Sequence, residues 1–236
     1  MPSRKWALVL TGHSHDLEDW LESFPEHHWP QAVMFHDEIL FFSDEMDNAR
    51  DAHQSYEIGQ VLLLRTNGLM RLLRNSEPLE LRGVAEIDSD GRIKRHFFAR
   101  IEAGRLRARG HAIGVALGRD GEIIPPVLTE TIEQEKIRLV AKEKLLADAL
   151  THISHSNNWF ELYKAFECVR SFAGGHRSLV EKGWTSSTEC SRFTNTADAI
   201  YRHRVDGKTP PAKPMNLEEA KTYVCGLLRR AMRLQT

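Results

Sequence analysis

Residues 191–232 read SRFTNTADAIYRHRVDGKTPPAKPMNLEEAKTYVCGLLRRAM, and this stretch decides what the C-terminal half of the chain is. Phe193, Ala197, Ile200 and Tyr201 recur at helical spacing, extending a pattern that begins at Ser186 and passes through Cys190. A Pro-rich loop over residues 205–214 ends it, because proline cannot continue a helix. Asn216 with Glu219 then gives a capping signature, in which the Asn oxygen takes an orphan N–H and the Glu reaches back to the cap residue. Behind it, Ala220, Val224, Leu227, Leu228 and Ala231 share one face of a helix over residues 217–234. Two amphipathic helices joined by a rigid loop need further apolar partners, so a bundle is expected.

The partners lie upstream. Ser186 with Glu189, Asn158 with Glu161, and Thr131 with Gln134 repeat the capping signature. Trp159, Leu162, Tyr163, Phe166 and Val169 line one side of a helix over residues 159–173, which Gly174-Gly175 ends as a left-handed cap requires. A short helix over residues 176–182 follows. From Thr131 one long amphipathic helix is expected to run toward Ile153, with Ile132, Leu139, Leu146 and Ile153 spaced by seven and a Glu/Lys-rich outer face suited to a connector or a dimer contact. Pro125-Pro126 marks the change from period two to period 3.6 and places a boundary between domains 1–126 and 127–236.

The first half mixes elements. Trp6-Ala-Leu-Val-Leu10 is a buried strand, followed by a helix with Leu17, Trp20, Leu21 and Phe24 on one face, stopped by Pro25, with Ser14 or Asp16 near its cap. AVMF and ILFF, separated by His36-Asp37-Glu38, suggest a hairpin. Residues 47–75 read as a helix in which Asn67-Gly68 is a potential break. Residues 79–87, 93–102 and 106–115 alternate polar and apolar, with turns at residues 88–91 and 103–104, and form a meander. The expected class is α+β: an N-terminal sheet-and-helix domain followed by a C-terminal helical bundle.

Composition limits the function. The chain has 236 residues, 41% hydrophobic and 28% charged, with a formal charge of −1, which suits an ordinary packed protein and gives no global call for nucleic acid. The apolar runs are far shorter than the ~20 residues a membrane span needs, and the apolar run after the basic N-terminus is too short for a signal-peptide core, so a cytoplasmic protein without membrane association is expected. Cys168, Cys190 and Cys225 are odd in number and sit in helical patterns, as reduced packed thiols do.

Three groups of residues carry candidate chemistry. In the meander, Arg92, Lys94, Arg95, Arg100, Arg105, Arg107 and Arg109 face a single acid, Glu102, and His96, Phe97 and Phe98 are interleaved among them. Arg105, Arg107 and Arg109 have period two and share one strand face, so with Arg95 they can hold the phosphates of RNA or another nucleic acid, or a different acidic partner. The same pattern also suits a solvated sheet face paired with acids elsewhere. The second group is Asn195, Asp198 and Arg202 on one helix face, with His203 next; Arg202 and His203 suit either a phosphate or acid/base pair facing the Pro-rich loop, or a salt bridge and a helix-end interaction. The third is Arg170-Ser-Phe-Ala-Gly-Gly-His176, an Arg and a His at a helix end. His13-Ser14-His15-Asp16 lacks the further acids of a metallohydrolase and also suits a helix start, so no metal is expected. No G-x-x-x-x-G-K-[ST] and no G-x-G-x-x-G between strand and helix occurs, and no cofactor is expected.

With Arg170 and His176 in place, the helical half resembles the HEPN superfamily, whose bundles carry Arg-x4-6-His. The resemblance covers residues 131–236. It implies metal-independent RNA cleavage, usually at a homodimer interface, with Arg170 stabilising a phosphate and His176 acting as general acid or base. Ser171 after the Arg and the Gly pair before the His depart from the usual pattern. Two functions are therefore carried forward: a binding or interaction protein that engages a protein partner through its helices and an acidic partner through its basic hairpin, and a HEPN-like endoribonuclease.

Overall fold

A computed structural model describes residues 5–98, 129–202 and 211–234, without the side chains of Lys5 and residues 200–202. Five strands form one antiparallel sheet in the order β2-β3-β1-β4-β5: β1 (Lys5–Thr11), β2 (Gln31–Phe35), β3 (Glu38–Phe42), β4 (Glu80–Ile87) and β5 (Ile93–Phe97). Helix α1 (Ser14–Ser23) follows β1, and α2 (Ala52–Arg74) lies between β3 and β4. The rest is helical: α3 (Ile132–Val140), α4 (Lys144–Ser154), α5 (Trp159–Ala173), α6 (His176–Glu181), α7 (Ser187–Thr196) and α8 (Leu217–Ala231). The protein is thus α+β, an N-terminal sheet with helices followed by a helical region.

The chain divides into two compact units, Met1–Gly59 with Leu79–Glu135, and Gln60–Pro78 with Lys136–Thr236. Both α2 and α3 begin in the first unit and end in the second. The junction expected at Pro125-Pro126 and the third meander strand lie outside the described residues.

In the first unit β1 is central and buried on both faces. Leu8 pairs with Phe41 and Val84, and Leu10 with Ile39, so these side chains share a face. Trp20 and Phe24 of the α1 segment close on that face, with ring centroids 5.0 and 5.2 Å from Phe41. The opposite face holds Ala7, Val9, Leu40 and Ala85, rimmed by Phe35, Phe42, Ile87 and Ile93. The β2–β3 hairpin turns through His36 at φ 57, while the β4–β5 turn is fixed by Gly91 at φ 77 and by the Asp88 carboxylate accepting from the Asp90 and Arg92 N–H groups. Helix α1 starts after His13, which provides no side-chain cap, and Ser14 and Asp16 lie in its first turn, near the cap as expected.

In the second unit Asn67-Gly68 does not break α2. Gly68 is there because α4 crosses at backbone contact: a Cβ at residue 68 would stand 1.9 Å from the Leu150 carbonyl oxygen.

The long helix expected from Thr131 to Ile153 is two helices, parted at residues 141–143, where Glu143 leaves helical angles at φ −119, ψ 85. The inner side of α3 is Glu133, Gln134, Lys136, Ile137 and Val140; that of α4 is Leu146, Ala149, Leu150 and Ile153. An unbroken helix would carry the α3 phase onward to Lys144, Asp148 and Thr151, so the break resets the phase and keeps polar side chains out. Ile132 and Leu139 are consequently exposed, at 48% and 41%.

The stop of α5 is as expected, with Gly174 left-handed at φ 95. Beyond Thr196 the helix widens into a π-helical turn over Ala197–Arg202. The face expected of Asn195, Asp198 and Arg202 runs into this turn, and the Arg202 side chain lies outside the described residues. The core of this unit is an aromatic cluster of Trp159, Tyr163, Phe166, Phe193 and Tyr223, with Phe166 and Phe193 centroids 4.8 Å apart.

Candidate functional site

Arg170 sits in the last turn of α5, and its carbonyl accepts the Gly175 N–H at 2.8 Å. The Gly pair reverses the chain, and His176 opens α6 immediately afterwards. Local sequence therefore holds Arg170 and His176 at one corner of the helical unit. The Arg170 guanidinium lies 5.7 Å from the Phe166 ring centroid, one helical turn back, and has no ion-pair partner among the described residues. His176 is exposed, yet its Nδ1 lies 3.4 Å from the Sγ of fully buried Cys190.

Cys190 belongs to α7, whose phase is set by Ser186, whose Oγ accepts the Glu189 N–H. The Tyr223 hydroxyl of α8 lies 3.0 Å from Thr185 Oγ1. Burial pushes the Cys190 thiol up from its ordinary value of 9.0, against the hydrogen bond from Tyr223 and the positive charge of Arg170. Burial likewise raises the Tyr223 hydroxyl well above its usual range, with the Cys190 and Glu189 charges acting in the same sense. Near neutral pH both keep their protons, so Cys190 is a hydrogen-bonding partner of His176 and not a nucleophile. The corner thus presents an anchored imidazole beside a cation: the first can move a proton and the second can hold an anion.

Helix α7 runs back along α5. Cys190 lies in the field of Arg170, Phe193 packs on Phe166, Tyr163 and Trp159, and the π-helical turn also packs on α5. The Arg202 backbone is therefore carried on the order of 15 Å from Cys190 along the axis. Arg170 and His176 are brought together, and Arg202 is not brought to them. Its side chain and all of His203 lie outside the described residues.

Of the four arginines of the basic hairpin, Arg105, Arg107 and Arg109 lie outside the described residues. Arg95 is already engaged. It pairs with Glu38 at 2.9 Å and lies 5.0 Å from the Phe35 ring centroid. Arg82 takes the other Glu38 oxygen at 2.7 Å, and the Glu38 side chain is only 9% exposed. Arg95 thus carries the ion pair with an acid on another strand that an ordinary sheet face would predict.

Among the described residues no three His, Cys, Asp or Glu side chains are grouped to hold a metal ion, and no helix is long and apolar enough to cross a membrane. The three cysteines are free thiols.

Sequence reading alone passed over Cys190, Tyr223 and Thr185. Cys190 reads as one apolar position of an amphipathic helix, and nothing local connects it to a histidine fourteen residues earlier or to a tyrosine on another helix. No protein-family model, no curated protein and no solved structure matches the chain.

Proposed function

We propose that the helical unit acts on phosphodiesters, as a HEPN-like, metal-independent endoribonuclease, with Arg170 and His176 at its centre. The observation that carries this reading is the exposed His176 ring, held by Cys190 through Nδ1 next to an arginine with no carboxylate partner among the described residues. In the reaction class that the HEPN resemblance implies, the imidazole removes the proton of a ribose 2′-hydroxyl as its oxygen attacks the adjacent phosphorus. The P–O5′ bond breaks, the 5′-oxygen takes a proton from water while the imidazolium returns its own to solvent, and a 2′,3′-cyclic phosphate remains. Arg170 stabilises the charge on the non-bridging oxygens, the usual task of a guanidinium at phosphorus.

The test is incubation of the full chain with a panel of structured and single-stranded RNAs in excess EDTA. Cleavage leaving cyclic phosphate ends is expected, and His176→Ala and Arg170→Ala are each expected to lower it at least about 10²-fold with the helical circular-dichroism signal kept. No cleavage of any RNA by the wild type, or full activity in folded His176→Ala, overturns the proposal.

A second reading is favoured by Phe97, which stands 58% exposed on β5 and shares its strand face with Arg95. An aromatic ring among cations suits stacking on a base. In this reading the hairpin binds nucleic acid or another acidic partner without cleaving it. Salt-sensitive RNA binding weakened by Phe97→Ala, and by joint replacement of Arg105, Arg107 and Arg109, is expected; binding unchanged in both variants removes this reading.

A further inference from the structure

Where α4 meets the start of α5, a second histidine is oriented by its neighbour. His152, in the last turn of α4, has its Nδ1 2.7 Å from Oε2 of Glu161, in the first turn of α5. A carboxylate only accepts, so the hydrogen of the neutral ring is on Nδ1 and Nε2 carries the lone pair. Nε2 has no partner among the described residues and reaches solvent, on a side chain that is 30% exposed. The His15–Glu18, His53–Glu57 and His96–Glu86 contacts, at 3.6, 3.8 and 3.5 Å, lie beyond the usual hydrogen-bond range.

The pair is held by a frame that does not depend on it. Helix α4 packs along α5, with Leu146, Leu150 and Ile153 buried on the first and Leu162 and Phe166 on the second. The α5 cap uses the Glu161 backbone N–H, which Asn158 accepts at 3.0 Å, and this leaves the Glu161 carboxylate to His152. His155, the next histidine along α4, is the contrast. Its Nδ1 lies 2.9 Å from Ser154 Oγ, whose own hydrogen goes to the Thr151 carbonyl at 2.7 Å. That ring also keeps its hydrogen on Nδ1, but a neutral hydroxyl stands where His152 has a carboxylate.

An oriented, accessible Nε2 can bind a metal or attack an electrophile. No three metal-binding side chains are grouped among the described residues, which leaves a metal ion short of ligands there. Attack by Nε2 places a positive charge on the ring, and the carboxylate on Nδ1–H stabilises that charge where it forms. Lys164, one turn past Glu161, adds a cation at this end of α5, with its ammonium on Glu167 at 3.1 Å. We propose that His152 is a phosphoryl-accepting site, modified at Nε2 by a phosphoramidate or an acyl phosphate, with Glu161 as its positioning residue. Nε2 attacks phosphorus, the bond from phosphorus to the leaving amine or carboxylate breaks, and its electron pair departs with that group. The phosphoryl group stays on Nε2 and the Nδ1 hydrogen stays on Glu161. The site is separate from the phosphodiester reading above, because Glu161 and Arg170 stand about 14 Å apart along α5.

The probe is phosphoramidate, reacted with the folded full chain near neutral pH. Peptide mass spectrometry reads the modified residue and 31P NMR reads the isomer. His152 is expected to carry phosphate on Nε2 alone and to react several-fold faster than His155. Glu161→Ala is expected to slow His152 about tenfold and to let the Nδ1 isomer appear, because the ring reverts toward the Nε2–H form of a free imidazole. Glu161→Gln, similar in size and uncharged, is expected to slow it as well. No phosphate on His152, a rate no greater than that of His155, or an unchanged rate and isomer in folded Glu161→Ala overturns the proposal, whether or not the protein cuts RNA.

Discussion

Gly68 of α2 and Leu150 of α4 meet backbone to backbone, so that a Cβ at residue 68 would stand 1.9 Å from the Leu150 carbonyl oxygen and 2.6 Å from its carbon. Intrinsic propensity favours Ala over Gly within a helix by about 1 kcal/mol. Here the clash is with main chain, which cannot swing aside. Gly68→Ala is therefore expected to destabilise by about 1–3 kcal/mol, read as a lower urea midpoint. Gly226 of α8 is the control, since a Cβ there meets nothing within 4 Å, and Gly226→Ala is expected to stabilise by about 0.5–1 kcal/mol. Equal effects of the two substitutions would refute this account.

Gln134 is fully buried, and its amide nitrogen lies within 3.1 Å of three carbonyl oxygens, those of Pro25, His28 and Pro30. Its amide oxygen takes the Thr131 N–H at 3.0 Å, completing the capping box. Gln134→Ala strands these groups and is expected to lose about 2–3 kcal/mol in chemical denaturation. Gln134→Glu should be worse, because it turns an oxygen toward three carbonyls. A Glu variant as stable as wild type would count against the assigned amide orientation.

Glu38 is the shared acid of Arg82 and Arg95, and the two arginines differ in exposure, at 59% and 27%. Solvent screens the outer pair, so Arg82→Ala is expected to change stability by less than about 1 kcal/mol. Removing the acid leaves the more buried Arg95 unpaired, and Glu38→Ala should cost about 1–3 kcal/mol. If Arg82→Ala proves the more damaging of the two, the ordering by burial is wrong.

The pH dependence follows from raised and lowered groups. Burial raises the thiols of Cys168, Cys190 and Cys225 above 9.0 in the folded chain and raises Tyr223 as well. A raised folded value contributes stability that is complete below the unfolded value and is lost as pH rises through the folded one. Stability should therefore be insensitive to these groups up to about pH 9 and fall above it, with native thiols alkylated more slowly than free cysteine at neutral pH. Glu219 has the opposite sign: the hydrogen bond from the Asn216 backbone holds its carboxyl below 4.5, so its contribution is present above that pH and is lost as the solution is acidified. Flat stability from pH 8 to 11, by thermal melts, would contradict the alkaline part.

The fold class was legible in the chain because its signals are local. The stop at Gly174 and the apolar face Ala220, Val224, Leu227, Leu228 and Ala231 follow from backbone sterics and a period of 3.6, and all of them stand in the structure. The caps were legible only in part. Asn158 accepts the Glu161 N–H as its sequence implies, but the Glu161 carboxylate turns away to His152 of α4 at 2.7 Å. A side chain that can reach either its own cap or a neighbouring helix takes the partner packing brings to it.

By itself, then, the sequence determined where most helices and strands form and where proline, glycine and cap residues stop them, because those choices depend on a few adjacent residues. It also placed Arg170 next to His176, since the Gly pair between them is a local turn. Only tertiary structure decided that the helix from Thr131 is broken to reset its buried face, that Arg95 is committed to Glu38, and that His176 is held by Cys190. Each of these depends on a side chain from another element arriving within bonding distance, and spacing along one chain carries no record of that approach.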